Sequence, residues 1–371
     1  MRLLKPDFTV LFSLIIMAHI LHAQTHFTVK NLPQIPDKDG FAGSLAGVSN
    51  GALIVAGGSN FPNGGRPWNG STKKWYDQIF VLEKPDGKWL KAGKLPKPLG
   101  YSVSLTWRDA VVCVGGSNEE GHFAESFLMR WKDRQVTFEN LPDFPSTIAN
   151  ACGALVGDIL YVAGGLEKPS ATKALSVFYA LDLAAEPAKR SWKSLPSWEG
   201  EARMLSVAAS YKGKFYLFSG TNLMESPKDK SVQRVYLKDA HCYDPKTSQW
   251  TQLVNLPHAT VAAPSPAFVA DNQLVIVGGD TGENAFNTPV LKDKHPGFNT
   301  KIIGYDSKNN QCKMVQNFQT DIKPNAETHP NESTYLPVTT PLVAWQGGYV
   351  MPGGEVRPGT RTPRVLIINP K

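Results

Sequence analysis

Cysteine is scarce. The 371 residues hold four, Cys113, Cys152, Cys242 and Cys312, and no two form a CxxC pair. That excludes motifs built on CxxC and leaves no disulfide connectivity to read. Each cysteine lies in or beside a strand-like apolar run, so buried free thiols are expected. The chain also lacks HExxH, a Cys/His cluster, GxSxG and a phosphate loop. It therefore shows no metal or coenzyme signature, and neither is expected. Charge of one sign is not concentrated anywhere. The formal net charge is +7 and the pI about 9.0, but Lys-rich stretches such as KWLKAGKLPK read as solvated edges. No nucleic-acid motif accompanies them, so no nucleic-acid partner is expected.

Long apolar runs are missing too, except at the start. The first residues, MRLLKPDFTVLFSLIIMAHILHAQ, join a short basic end (Arg2, Lys5) to an apolar run from Val10 to Leu21 and a small residue, Ala23. This is a secretory signal pattern over residues 1–23, with the mature chain beginning near Gln24. The run is short for a membrane span. The expected location is periplasmic or secreted, with no stable membrane insertion after cleavage.

Glycine (32) and proline (28) are plentiful, which suits many strands and turns. An apolar run ends in a small-Gly pair six times: LIVAGG (53–58), VVCVGG (111–116), LYVAGG (160–165), FYLFSG (215–220), LVIVGG (274–279) and YVMPGG (349–354). Leu-Pro recurs near each junction, at 32–33, 95–96, 141–142, 195–196, 256–257 and 336–337. An aromatic precedes many of these: Phe27, Trp89, Phe138, Trp192 and Trp250. A third strand, such as QIFVLE or SVFYALD, lies between the two markers. Each unit reads as four antiparallel strands, which resembles a kelch blade. Six blades predict an all-β, six-bladed propeller over residues 24–371. The first marker, FTVKNLP, has no blade before it, and the last blade has no outer strand after it. The N-terminal strand is therefore expected to close the last blade.

In such blades the loops after Gly-Gly and after Leu-Pro open on one face, around the channel mouth, where function usually sits. After the glycines come Asn60, Asn118, Glu167, Asn222, Asp280 and Glu355. Tyr101, Asn150 and Arg203 occupy comparable places in the Leu-Pro loops. The asparagines also suit turn chemistry. Glu355 differs, because MPGGEVRPGTRTPRV places Arg357, Arg361 and Arg364 within ten residues of it. A carboxylate can move a proton and a guanidinium can grip an acid with two parallel hydrogen bonds, although a solvated ion-pair turn looks the same in sequence.

GGEVRPGTRT resembles the glutamate loop of the periplasmic N-acetylneuraminate epimerases, the sialic acid mutarotases built on kelch propellers. DGFAGSLAGVSNGALIVAGGSNFP (39–62), with YSVSLTWRDAVVCVGG (101–116) after it, is also similar to that family. It comes first here instead of late, so the chain resembles the circularly permuted branch. The resemblance implies Glu355 as the general base and Arg361 as a substrate-binding residue. Arg203, Asn60 and Tyr101 are further candidates for contact with the substrate. The expected ligand is a small acidic sugar, sialic acid, with no cofactor. Two other readings stand beside it. One is a non-enzymatic kelch module that binds a glycan or protein. The other is a copper radical oxidase, but His122, His241, His258, His295 and His329 lack ligand spacing.

Overall fold

In the computed structural model, which describes residues 26–318 and 336–371, six four-stranded antiparallel sheets surround a channel. From the channel outward, blade 1 is Leu45–Ser49, Ala52–Ala56, Gln78–Leu82 and Leu90–Lys94. Blade 2 is Val103–Trp107, Ala110–Ser117, His122–Lys132 and Gln135–Leu141. Blade 3 is Cys152–Val156, Ile159–Ala163, Phe178–Asp182 and Lys193–Ser194. Blade 4 is Val207–Tyr211, Lys214–Phe218, Ala240–Asp244 and Gln249–Gln252. Blade 5 is Phe268–Ala270, Gln273–Val277, Lys301–Asp306 and Gln311–Asn317. Blade 6 is Val343–Trp345, Gly348–Pro352, Val365–Pro370 and, as expected, the N-terminal strand Phe27–Leu32. The closing pairs run from Phe27 opposite Pro370 to Leu32 opposite Val365. The expected signal segment lies outside the described residues. No helix among the described residues is long and apolar enough to cross a membrane.

Second strands such as ALIVA and AVVCVGGS are buried along their whole length. A neighbouring blade covers each face, so these strands read as continuous apolar runs and not as alternation. The core accordingly divides into layers, one at each of the six blade junctions. Cys113, Cys152 and Cys242 are buried in these layers as free thiols, and Cys312 is half-buried. Burial pushes the Cys152 thiol up to about 12 and the Cys242 thiol to about 11, so both stay protonated.

The aromatic and Leu-Pro markers form a latch between blades. The Trp89 indole donates to the carbonyl of Pro33 (2.8 Å), Trp192 to Pro142 (2.9 Å) and Trp250 to Pro196 (2.8 Å), each in the preceding blade. Trp250 stands opposite Tyr243 and Phe138 opposite Met129, at matching places in their blades. Phe27 is not their counterpart. That place in blade 6 belongs to Val29, opposite Ile368, while Phe27 meets Phe268 of blade 5 edge-on at 5.8 Å.

The glycine pairs let the chain leave the second strand and cross the rim before it returns as the third strand of the same blade. Gly354 has φ 109°, and a Cβ there would lie 2.7 Å from the Val338 carbonyl oxygen, so only glycine fits. Just inside these crossings, six residues with left-handed backbone form a closed cycle: Gly43, Tyr101, Asn150, Leu205, Ala262 and Thr339. Each amide donates to the carbonyl of the preceding member. The links are Tyr101 to Gly43 (2.7 Å), Asn150 to Tyr101 (3.0 Å), Leu205 to Asn150 (2.8 Å), Ala262 to Leu205 (2.8 Å), Thr339 to Ala262 (2.8 Å) and Gly43 to Thr339 (2.7 Å). This ring holds the blades in fixed register around the channel mouth. Three two-stranded ribbons follow the glycine pairs: Ser59–Asn60 with Lys74–Trp75, Thr221–Glu225 with Val232–Tyr236, and Glu355–Arg357 with Thr360–Arg361.

Candidate active site

One position per blade is defined by an isolated bridge just after the glycine pair. The pairs are Ala42–Ser59, Gly100–Ser117, Ala149–Leu166, Met204–Thr221, Val261–Asp280 and Val338–Glu355. The equivalent residues are thus Ser59, Ser117, Leu166, Thr221, Asp280 and Glu355. Only blades 5 and 6 place a carboxylate there, and both carboxylates line one cleft of about 490 Å³. Leu205, Ala262 and Thr339 of the ring also line this cleft.

Glu355 and Arg361 face each other across their ribbon, with the Pro358–Gly359 turn between them. Glu355 Oε1 accepts from the Gly359 amide (2.7 Å) and from Arg361 Nη1 (3.1 Å). Its Oε2 makes no hydrogen bond among the described residues, and the side chain keeps 18% of its exposure. The carboxylate is thus clamped by one oxygen and offers the other. The Arg361 guanidinium lies over the Phe61 ring, 4.9 Å from its centroid. Burial disfavours its charge, but Glu355 and Tyr101 outweigh burial and hold it above its ordinary value.

Tyr101 reaches the same cluster from the ring. Its hydroxyl lies 2.8 Å from Ser59 Oγ and 3.3 Å from Lys73 Nζ, and it also interacts with Arg361. Lys73 stands 4.5 Å from the Tyr101 ring centroid and 4.4 Å from that of Trp75. Burial raises the phenol pKa, but Arg361 and Lys73 together exceed that effect and leave it below its usual value.

Asp280 forms the other wall of the cleft. Its Oδ2 accepts from Tyr236 (2.9 Å) and its Oδ1 from the Gly282 amide (2.9 Å). Burial, and then Asp280, push the Tyr236 phenol up to about 12, so it keeps its proton. His295 is held below its usual value by burial, which with Arg357 outweighs the attraction of Asp280 and Glu355. It is therefore neutral at neutral pH. Arg234 stands exposed at the rim.

Of the sequence-derived candidates, the structure gathers Glu355, Arg361 and Tyr101. Arg203 is elsewhere. It is fully buried and forks onto Asp239 (3.1 and 2.5 Å), with further bonds to the carbonyls of Ser219 (3.1 Å) and Glu201 (3.2 Å). The ring counterpart of Tyr101 in blade 4 is Leu205, two residues beyond Arg203. Asn60 is offset by one from the bridge position. It is buried, donating to the Gly40 carbonyl (2.9 Å) and accepting from Tyr76 (2.8 Å). Asn118 and Asn222 serve as similar clips, to the Pro98 carbonyl (3.1 Å) and Glu201 (2.8 Å). None of the three has positive φ, so side-chain bonding and not left-handed backbone explains them.

The histidines go to separate partners: His122 to the Leu166 carbonyl, His241 to Asp239, and His258 to Asn299. His329 lies outside the described residues. Among the described residues, no three His, Cys, Asp or Glu side chains are grouped to hold a metal ion. Lys73 and Tyr236 escaped sequence reasoning. The signal that could have found Asp280 as the partner of Glu355 is strict alignment of the bridge position.

The N-acetylneuraminate epimerase family model matches residues 19–138 and 141–369. A similar protein, the N-acetylneuraminate epimerase of Haemophilus influenzae (strain 86-028NP), is 36% identical over 120 residues, 27% of this chain and 32% of that one. The N-acetylneuraminate epimerase of Yersinia pestis (strain Pestoides F) is 39% identical over 92 residues, 23% of each chain. These matches thus span about a third or less of the length of those relatives. A solved structure, titled "Structure of YjhT", superposes with a TM-score of 0.59 at 15% identity, covering 75% of this chain and 84% of that one. That likeness shows the propeller fold.

Proposed function

The chain belongs to the N-acetylneuraminate epimerase family, and from that premise we propose that it interconverts the α and β anomers of N-acetylneuraminate. The observation that carries this reading is the clamped Glu355 carboxylate, with Oε1 held by Arg361 and Gly359, Oε2 without a hydrogen bond among the described residues, and the residue lining the cleft. Glu355 Oε2 takes the anomeric hydroxyl proton while the bond to the ring oxygen breaks and that oxygen gains a proton. The open-chain keto acid rotates about the freed carbon and recloses on its other face. The reverse proton transfers then restore the enzyme. Arg361 supplies the fork for the sugar carboxylate. The carboxylate of Asp280 suits hydroxyl groups at the far end of the cleft.

The test is proton NMR of freshly dissolved α-N-acetylneuraminate, with and without protein. Glu355→Gln keeps size and hydrogen bonding but cannot accept the proton. It should bring exchange down to the spontaneous rate while the sugar still binds. Arg361→Lys should chiefly raise KM, by about tenfold, because the fork is lost. Wild-type protein that binds the sugar without accelerating exchange would instead be a binding propeller.

We also propose that residues 1–23 direct export. Mass spectrometry of the periplasmic or secreted protein should find a chain starting near Gln24. An intact N-terminus in the soluble cytoplasmic fraction would refute this.

A further inference from the structure

The ring-opening reaction needs a second proton-moving group to serve the ring oxygen while Glu355 serves the anomeric hydroxyl. We propose that this group is Tyr101, an inference that rests on the mutarotase reading above.

The argument begins with the backbone. Tyr101 has φ 60°, costly for an aromatic residue but imposed by its place in the six-membered hydrogen-bonded ring. Its neighbour in that ring is Gly43. A Cβ on Gly43 would lie 2.6 Å from Tyr101 Cδ1, so the absent side chain is what lets the phenol lie across the channel mouth. The hydroxyl then reaches Ser59 and Lys73, and Arg361, whose charge acts on the phenol, holds Glu355. Glu355 and Tyr101 are thus two proton carriers within the field of one guanidinium, which holds the first directly.

The groups that line the cleft with Glu355 fit this role less well. The proton of Tyr236 is committed to Asp280, and both Asp280 oxygens already accept hydrogen bonds. His295 is neutral at neutral pH. Tyr101 has its phenol oxygen beside two cations, Lys73 and Arg361, which stabilise the phenolate left after its proton is given away.

The step balances. Glu355 takes the anomeric hydroxyl proton, the anomeric carbon becomes a carbonyl, and the bond to the ring oxygen breaks with its electron pair going to that oxygen. Tyr101 O–H protonates the oxygen and becomes phenolate. On reclosure the phenolate takes the proton back from the attacking hydroxyl, and Glu355 returns its proton to the carbonyl oxygen.

The charged and titratable groups facing the phenol are Lys73, just before the Lys74–Trp75 strand of the blade 1 ribbon, and Arg361 and Glu355 from the blade 6 ribbon. The experiment measures NMR anomer exchange against pH, with the spontaneous rate subtracted, for wild type, Glu355→Gln, Tyr101→Phe and Lys73→Gln. Wild type should lose activity at alkaline pH as the phenol ionises. Tyr101→Phe should lower kcat by about 100-fold or more with little change in KM, and its residual activity should lack the alkaline fall. Lys73→Gln removes a cation from an otherwise intact phenol and should move the alkaline fall to higher pH. Ultraviolet titration should show that Tyr101→Phe loses the earliest-ionising tyrosine. Wild-type kcat in Tyr101→Phe, or an alkaline limb that Lys73→Gln leaves in place, would overturn the assignment while the mutarotase reading stood. Wild-type protein without exchange above background would remove both.

Discussion

Arg203 shows how a polar residue near a functional rim can be wholly structural. It is sealed from solvent, and its charge is answered by Asp239, which also accepts from His241 at 2.7 Å. Trp198 lies against the guanidinium, 5.2 Å from ring centroid to Cζ. Removing one partner of a buried pair strands the other, at a cost of about 3–5 kcal/mol. Arg203→Met should therefore lower stability by about 3 kcal/mol in urea denaturation, since Asp239 retains some solvent contact, and should leave KM of the folded enzyme unchanged. A raised KM with unchanged stability would return Arg203 to the substrate. Acid dependence gives an independent check. Burial raises the Asp239 carboxyl, but bonds from His241 and Arg203 outweigh it and hold the group well below the usual range. A depressed folded-state pKa stabilises the fold above the unfolded value of about 4, and that stability declines as pH falls below it. Arg203→Met should flatten this acid loss.

At the scale of elements, the outer strands explain why tryptophan recurs. An indole can fill the space between two blades and also donate to a proline carbonyl. Phenylalanine does only the first, and Phe138 remains 37% exposed beside a groove of about 460 Å³ that Leu95 and Pro96 also line. Phe138→Trp should complete the latch with the Pro96 carbonyl. One added hydrogen bond is worth about 1 kcal/mol, enough to raise Tm by about 2 °C. A lower Tm would mean that the groove cannot accept the indole. The ribbon that carries Glu355 follows similar logic. The Pro358–Gly359 turn pairs Arg357 with Thr360, and a register shift just before Arg357 then sets Glu355, and not Val356, opposite Arg361.

At the scale of the whole molecule, the ring depends on one strand from the far end of the chain. Gln316 of blade 5 reinforces this closure, accepting from the Phe27 amide (2.7 Å) and donating to its carbonyl (2.9 Å). Removing residues 26–33 would expose the Val365–Pro370 edge and uncover part of the layer between blades 5 and 6. The deletion should fail to give a cooperative melt. Because Phe27 pairs with Pro370, the same strand added after Lys371 through an Asn-Gly turn would run back along its old path. That permutant should recover both cooperative melting and anomer exchange. Recovery in the plain deletion would show that closure is dispensable.

The repeat count, the four-strand blade and the terminal closure were legible in the sequence because each rests on local pattern, and Glu355 and Arg361 stood out there through the family resemblance of their loop. Apolar runs, turn glycines and a hairpin with partners 6 residues apart need no knowledge of distant chain. Tertiary structure alone decided which polar residues meet at the channel mouth. Tyr101 meets Lys73 across 28 residues and Ser59 across 42, and Tyr236 meets Asp280 across 44. These distances are set by the ring of amide-to-carbonyl bonds between blades, which leaves no side-chain signature. An offset of one residue in aligning the blades, as with Asn60, or of two, as with Arg203, turns a residue from the cleft into the packing between loops. The periodicity identified the propeller, and the cross-blade hydrogen bonds selected its working residues.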